Sequence, residues 1–307
     1  MKHYIMNLCR IRVITGKVVP CNVGVVVYMS IAMFNLTTYA SVDKRYLEEM
    51  AYIREDKLGR SLYQFYCQLD YGCVMWKPHK FGPETNDKIP FTKVDINPKY
   101  FNNFDMFYDS LLGLFCVTEV ISQDSFHVSR IDLKSDIENL PIDVVLSRLY
   151  AMGYRRDSVT IIKGSTIYIG SNPKIRIYDK TKEISARLKK GGDVSESEME
   201  ILKSGKQITR FEIQIRSYKG TLKDVAADPV SLVSHFDRLH FYNFEDDCKI
   251  TALGGLHLLL SKIPRKNRAV FEKFKDKDIE VQIRTNYITS VKEWFERKDE
   301  GLEGVPF

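Results

Sequence analysis

Three short stretches of alternating charged and aliphatic residues constrain this chain more than any other feature. In "SRIDLKSD", Arg130, Asp132, Lys134 and Asp136 share one parity, and Ile131 and Leu133 take the other. In "KIRIYDK", Arg176, Tyr178 and Lys180 alternate with Ile175, Ile177 and Asp179. In "ITRFEIQIR", Arg210, Glu212, Gln214 and Arg216 oppose Phe211, Ile213 and Ile215. A β-strand turns successive side chains to opposite faces, so each stretch has one ionic face and one mainly aliphatic face. An antiparallel sheet with one face on a core and one in water accommodates all three.

The remaining segments complete an α+β pattern. "MNLCRIRVI", "NVGVVVYMSIAMF", "GCVMW" and "FTKVDINP" read as strands, and the charged stretch from Ser41 to Leu69 reads as a helix. The segment about Phe104 to Val120 predicts a helix, as does "LPIDVVLSRLYAMGY" with its early proline. A meander follows: "SVTIIK", a turn at Gly164, "STIYIG", a turn at Ser171–Asn172–Pro173, then "KIRIYDK". A charged helix leads to Gly191–Gly192, and Ser195 with Glu198 has capping-box spacing for a further helix that Gly205 ends. The expected architecture is a central antiparallel sheet with helices packed on one face. A mostly helical, basic region follows a soft boundary near Gly220, giving units of 1–220 and 221–307.

Composition sets outer limits. With 307 residues, 44% hydrophobic and 28% charged, the chain can bury a sizeable core and is not of the disordered class. A net charge of +6 permits nucleic acid or an anionic membrane as partner and identifies neither. The six cysteines, Cys9, Cys21, Cys67, Cys73, Cys116 and Cys248, form no CxxC pair, which fits small buried hydrophobes in a reducing cytoplasm. Val18 to Val42 carries no charge and is long enough to cross a bilayer. Its Pro20, Asn22, Gly24, Asn35, Thr37 and Thr38 favour buried strands over an anchor, so no membrane partner is expected.

The ionic faces also hold an inventory for chemistry. Asp132 and Glu212, with Asp136 in reach, offer hard oxygen donors suited to Mg2+ or Mn2+. Arginines and lysines can hold phosphate oxygens, and a tyrosine beside cations is favoured as phenolate. Against this stands the simpler reading of a solvated sheet face with mixed charges.

"SRIDLKSD", "TIYIGSNPKIRIYDKTKE" and "TRFEIQIR", in this order, resemble the rolling-circle replication initiators, namely plasmid replication-initiation and transfer proteins and filamentous-phage gene II proteins. "KVDINPKYF" is similar to the Asn-Pro strand of that family, and the resemblance spans roughly Lys93 to Arg216. It implies an HUH-endonuclease-like fold within residues 1–220 and a nucleophilic tyrosine at Tyr178, with Lys180 and Glu183 completing the tyrosine block. It places acidic metal ligands at Asp132 and Glu212, and less firmly at Asp136. The family's wider histidine pair is absent, since none of His3, His79, His127, His235, His240 and His257 forms H-x-H. Tyr168 and Tyr218 compete for the nucleophile's role without the paired cations of Tyr178.

The implied activity is metal-dependent nicking and joining of an origin strand through a 5′-phosphotyrosyl intermediate in the cytoplasm of a bacterial host. A host helicase and polymerase would act beside it, because no G-x-x-x-x-G-K-[ST] phosphate loop is present. A homodimer is compatible with this scheme. Arg176, Arg210 and Arg216, with Arg265, Lys266 and Arg268 of "PRKNR", are the candidate DNA contacts. A conjugative relaxase with the same chemistry, or a non-catalytic DNA-binding regulator on the same scaffold, are the rival readings.

Overall fold

A computed structural model describes residues 30–79, 92–116, 120–152, 159–162, 165–243, 260, 263–264 and 271–297. The expected strand "MNLCRIRVI", residues 18–29, the Gly164 turn and the "PRKNR" cations Arg265, Lys266 and Arg268 lie outside them, as do Cys9, Cys21, Cys248, His3 and His257.

In chain order, β1 (Ile31–Thr38) is followed by α1 (Lys44–Met50), β2 (Ile53–Glu55), β3 (Tyr63–Leu69), β4 (Gly72–Pro78) and β5 (Thr92–Ile96). Next come α2 (Phe104–Leu112), β6 (His127–Glu138), α3 (Ile142–Arg148) and β7 (Leu149–Ala151). The meander is β8 (Val159–Ile162), β9 (Thr166–Ile169) and β10 (Lys174–Asp179), and then α4 (Lys180–Lys189) and α5 (Glu196–Ser204) form a helical hairpin. The described chain closes with β11 (Ile208–Thr221), α6 (Leu222–Ala227), β12 (Leu239–Phe241) and α7 (Lys277–Glu296).

The fold is α+β. Among the described residues, ten strands form one antiparallel sheet in the order β2-β3-β4-β5-β1-β6-β11-β10-β9-β8, and β7 pairs with β12 apart from it. Two meanders, β2 to β5 and β8 to β11, are joined through β1 and β6 at the centre. The aliphatic parities found in the sequence all turn to one side: Ile131, Leu133, Ile175, Ile177, Phe211 and Ile213 are at most 1% exposed. Phe104, Phe107 and Leu111 of α2, and Ile279, Ile283, Tyr287, Val291 and Trp294 of α7, close that side into one core. The α7 residues recur at a spacing of three or four, the apolar stripe of a helix lying on a core. Ser135 Oγ donates to the Ile283 carbonyl at 2.9 Å, and Trp294 Nε1 to the Phe101 carbonyl at 3.1 Å, tying the helix to the sheet. Gly220, where a boundary was expected, falls inside β11, and α7 beyond it shares the core of the sheet.

The structure differs from the sequence expectation at several points: the helix expected over "LPIDVVLSRLYAMGY" ends at Arg148, and Leu149–Ala151 is the strand β7. The helix expected from Ser41 to Leu69 is only seven residues long, and Ile53 onward forms strands. Asp43 caps α1, and the chain then turns through Gly59, whose φ of +62° suits glycine, into the β-favouring run Tyr63–Leu69. Helices also do not keep to one face. Ile208 has the parity of Arg210 and Glu212, and it packs with Ile184 of α4 and Ile201 of α5 in a small cluster of its own. The hairpin therefore covers the end of the ionic face. Its start is set by Asp179 accepting from the Lys182 amide, and its second helix by the expected Ser195–Glu198 capping box and by Gly205 in the left-handed conformation.

Candidate functional site

Strand register gathers the three ionic stretches into a grid on the face opposite the main core. Lys134, Glu212, Arg176 and Tyr168 form one cross-strand row, and Asp136, Arg210, Tyr178 and Thr166 form the next. Asp132 faces Gln214, which faces Lys174 in the row before them. Residues up to 82 positions apart in the chain thus become neighbours because three antiparallel strands share one alternation.

Tyr178 is at the centre of the polar contacts. Its hydroxyl donates to Glu212 Oε1 at 2.7 Å, and the other Glu212 oxygen meets Arg176 Nη1 at 3.4 Å. The Arg176 guanidinium lies 4.0 Å from the Tyr178 ring centroid, a cation-π stack. Tyr178 is only 4% exposed. Burial pushes its phenol well above the ordinary value; nearby Arg210 pulls it down, and Glu212 pushes it further up. Charge compensation alone had suggested a phenol favoured as phenolate, but desolvation outweighs the cations.

The other expected residues have definite partners. Arg210 makes a bidentate pair with Asp136, both bonds 2.6 Å, which holds the Asp136 carboxyl low against the opposing effect of burial. Arg130 grips Asp132, with Nε to Oδ1 at 2.7 Å, and Gln214 donates to Asp132 at 3.4 Å. Arg216 Nε donates to Gln214 at 2.9 Å, at the edge of the grid. Lys180, expected at the phosphate, is instead 5% exposed beneath the hairpin, bonded to Glu183 at 2.5 Å and Glu198 at 2.9 Å. Glu183 is thereby an ion-pair partner of Lys180 and of Arg187. Tyr168 does have cations close by, Lys174 at 4.8 Å and Arg176 at 6.0 Å from its ring, whereas Tyr178 alone of the two reaches Glu212. His127 is exposed at the start of β6, away from the grid.

All three acids of the grid have both oxygens occupied: Asp132 by Arg130, Asp136 by Arg210, and Glu212 by Tyr178 and Arg176. Asp132 and Glu212 are diagonal neighbours on paired strands and supply hard oxygens, the type a Mg2+ or Mn2+ ion takes. Among the described residues no three His, Cys, Asp or Glu side chains gather as a metal cluster.

Lys134 was on the ionic parity in the sequence but was not singled out there. It is half-buried and, among the described residues, its ammonium makes no hydrogen bond or ion pair. Burial first, then nearby Arg210, pushes its amine down to about 7. Arg176 Nε, across Glu212 from it, is buried and unsatisfied. The signal available in the sequence was its place between two acids on a strand whose other charges find partners.

No family model, no curated protein and no solved structure matches this chain. The site is therefore read from its own chemistry.

The ionic cluster under the hairpin makes a measurable prediction. Burial pushes the Glu198 carboxyl up, but hydrogen bonds from Arg187 and Lys180 outweigh it and hold the group at about 2, against an ordinary 4.5. A depressed carboxyl stabilises the fold above its ordinary value, and that stability is lost as pH falls toward 2. The difference corresponds to about 2–3 kcal/mol. Chemical denaturation should show this loss between pH 4.5 and 2 in the native chain, and Glu198→Gln should flatten the slope in that window.

Proposed function

We propose that this chain nicks and rejoins a DNA strand with Tyr178 as nucleophile, as a rolling-circle replication initiator does, on an HUH-endonuclease-like sheet. The observation that carries the reading is the 2.7 Å hydrogen bond from the Tyr178 hydroxyl to Glu212 on an ionic sheet face, beneath the Arg176 guanidinium. A nucleophile, a proton acceptor and phosphate-binding cations meet there.

The phenol oxygen forms a bond to phosphorus, its proton passes to Glu212 Oε1, and the bond to the 3′ oxygen breaks. The products are a 5′-phosphotyrosyl link and, after the leaving oxygen takes a proton from water, a free 3′-hydroxyl. Arg176 faces the added negative charge on the phosphate. A Mg2+ or Mn2+ ion held by Asp132 and Glu212, once Arg130 and Arg176 release them, would add Lewis acidity at that phosphate. Rejoining reverses the sequence, so no high-energy cofactor is consumed. The substrate is origin DNA, single-stranded at the nick, with a host helicase and polymerase acting beside the protein. The cytoplasm of a bacterial host is the setting.

A specific observation favours one rival, a non-catalytic DNA-binding module: Tyr178 is 4% exposed, so attack requires the side chains over the phenol to move. Incubating supercoiled origin plasmid with protein and Mn2+ separates the two. The nicking reading expects open circles with protein attached, and mass spectrometry placing the linkage on the peptide containing Tyr178. Intact supercoils together with tight binding would establish the binding module instead.

A further inference from the structure

The charges of the grid do not cancel. Around Tyr178 stand three basic side chains, Lys134, Arg176 and Arg210, and two carboxylates, Glu212 and Asp136. The neighbouring groups balance without help: Asp132 has Arg130, while Lys180 and Arg187 have Glu183 and Glu198. When Lys134 is protonated, the surplus of one positive charge coincides with one buried unsatisfied donor, Arg176 Nε, and with an ammonium, that of Lys134, which makes no hydrogen bond or ion pair among the described residues. They flank Glu212 in one cross-strand row, so both border the carboxylate that receives the Tyr178 proton.

A buried guanidinium N–H without an acceptor is costly, and a ligand that both supplies one and offsets the Lys134 charge is an anion carrying one negative charge. A phosphodiester has that charge, and two non-bridging oxygens that can each accept from one donor. We propose that Lys134 and Arg176 hold the two non-bridging oxygens of a single DNA phosphodiester beside Tyr178, with Lys134 in the phosphate-contacting role that the sequence suggested for Lys180. The assignment of that phosphate as the one attacked rests on the nicking reading. The anion site itself does not.

The test uses the full chain and two probes, tetrathymidylate and its uncharged methylphosphonate analogue, with affinities measured by calorimetry and folding checked by circular dichroism. Loss of one charge-assisted contact should weaken tetrathymidylate binding about tenfold in Lys134→Met. Lys134→Arg should keep binding within about threefold, because the charge remains. Lys223→Met on α6, which removes an exposed cation paired with Asp124, should bind as the native chain does, and the methylphosphonate should bind Lys134→Met and native protein alike. Equal affinity of Lys134→Met and native protein for tetrathymidylate would overturn the site, as would equal losses in Lys134→Met and Lys134→Arg. Should no variant nick plasmid while Lys134→Met still loses binding, the anion site stands and the nicking reading falls. Nicking that is native-like in Lys134→Met, with native-like binding, gives the opposite result.

Discussion

Tyr178→Phe should abolish the covalent protein–DNA adduct and lower plasmid nicking by at least about a thousandfold, the scale on which loss of a nucleophile is felt. The ring stays in place under Arg176, 4.0 Å from the guanidinium, so the fold keeps its cation-π contact. What disappears is the hydroxyl that donates to Glu212 at 2.7 Å. Glu212 Oε1 then lacks that donor, and a stability cost of about 1–3 kcal/mol should appear in urea melts. The two readouts are independent. A variant with the stability loss but native nicking would make Tyr178 a structural hydroxyl and remove it from the chemistry. Tyr168→Phe is the matched control: Tyr168 shares Arg176 with Tyr178 but has no Glu212 bond, and its substitution should leave the adduct intact.

The largest stability effect should come from Arg210→Met. Arg210 and Asp136 form a bidentate pair with side chains 11% and 6% exposed, in the row that also holds Tyr178. Removing the guanidinium strands a carboxylate whose ionised form depends on it, a change that costs about 3–5 kcal/mol. The unfolding midpoint should fall by roughly 10 °C in a chain of this size. Arg210→Met with Asp136→Leu should recover much of that loss, since an apolar pair leaves no charge stranded. Equal destabilisation in the single and double variants would mean that the pair contributes through packing and not through charge. Nicking by the double variant would also show whether Asp136 takes part in metal binding or only in holding Arg210.

The strands of the grid were legible because alternation of ionic and aliphatic residues is a purely local signal. Ser195, Glu198 and Gly205 were legible for the same reason: a cap is written within a few residues. Tyr63 to Leu69 was misread as helix because charged residues and apolar ones mix there at both spacings, and partner strands decide the outcome. The fates of the charges were not legible. Lys180 and Lys134 look alike in sequence, yet one is closed in by Glu183 and Glu198 and the other, though opposite Glu212, makes no ion pair among the described residues. That difference is set by the α4–α5 hairpin folding over one end of the sheet, a tertiary event. The raised phenol of Tyr178 has the same origin, because burial is invisible until the sheet is assembled.

The place of β1 has a consequence for assembly. It is the bridge between two meanders that could each zip locally, yet its own partners, β5 and β6, begin 54 and 89 residues after Thr38. Loop closure over such separations is slow relative to hairpin formation. The halves should therefore form early as separate ribbons, each with a bare rim, and fuse when the waiting segment slots between them.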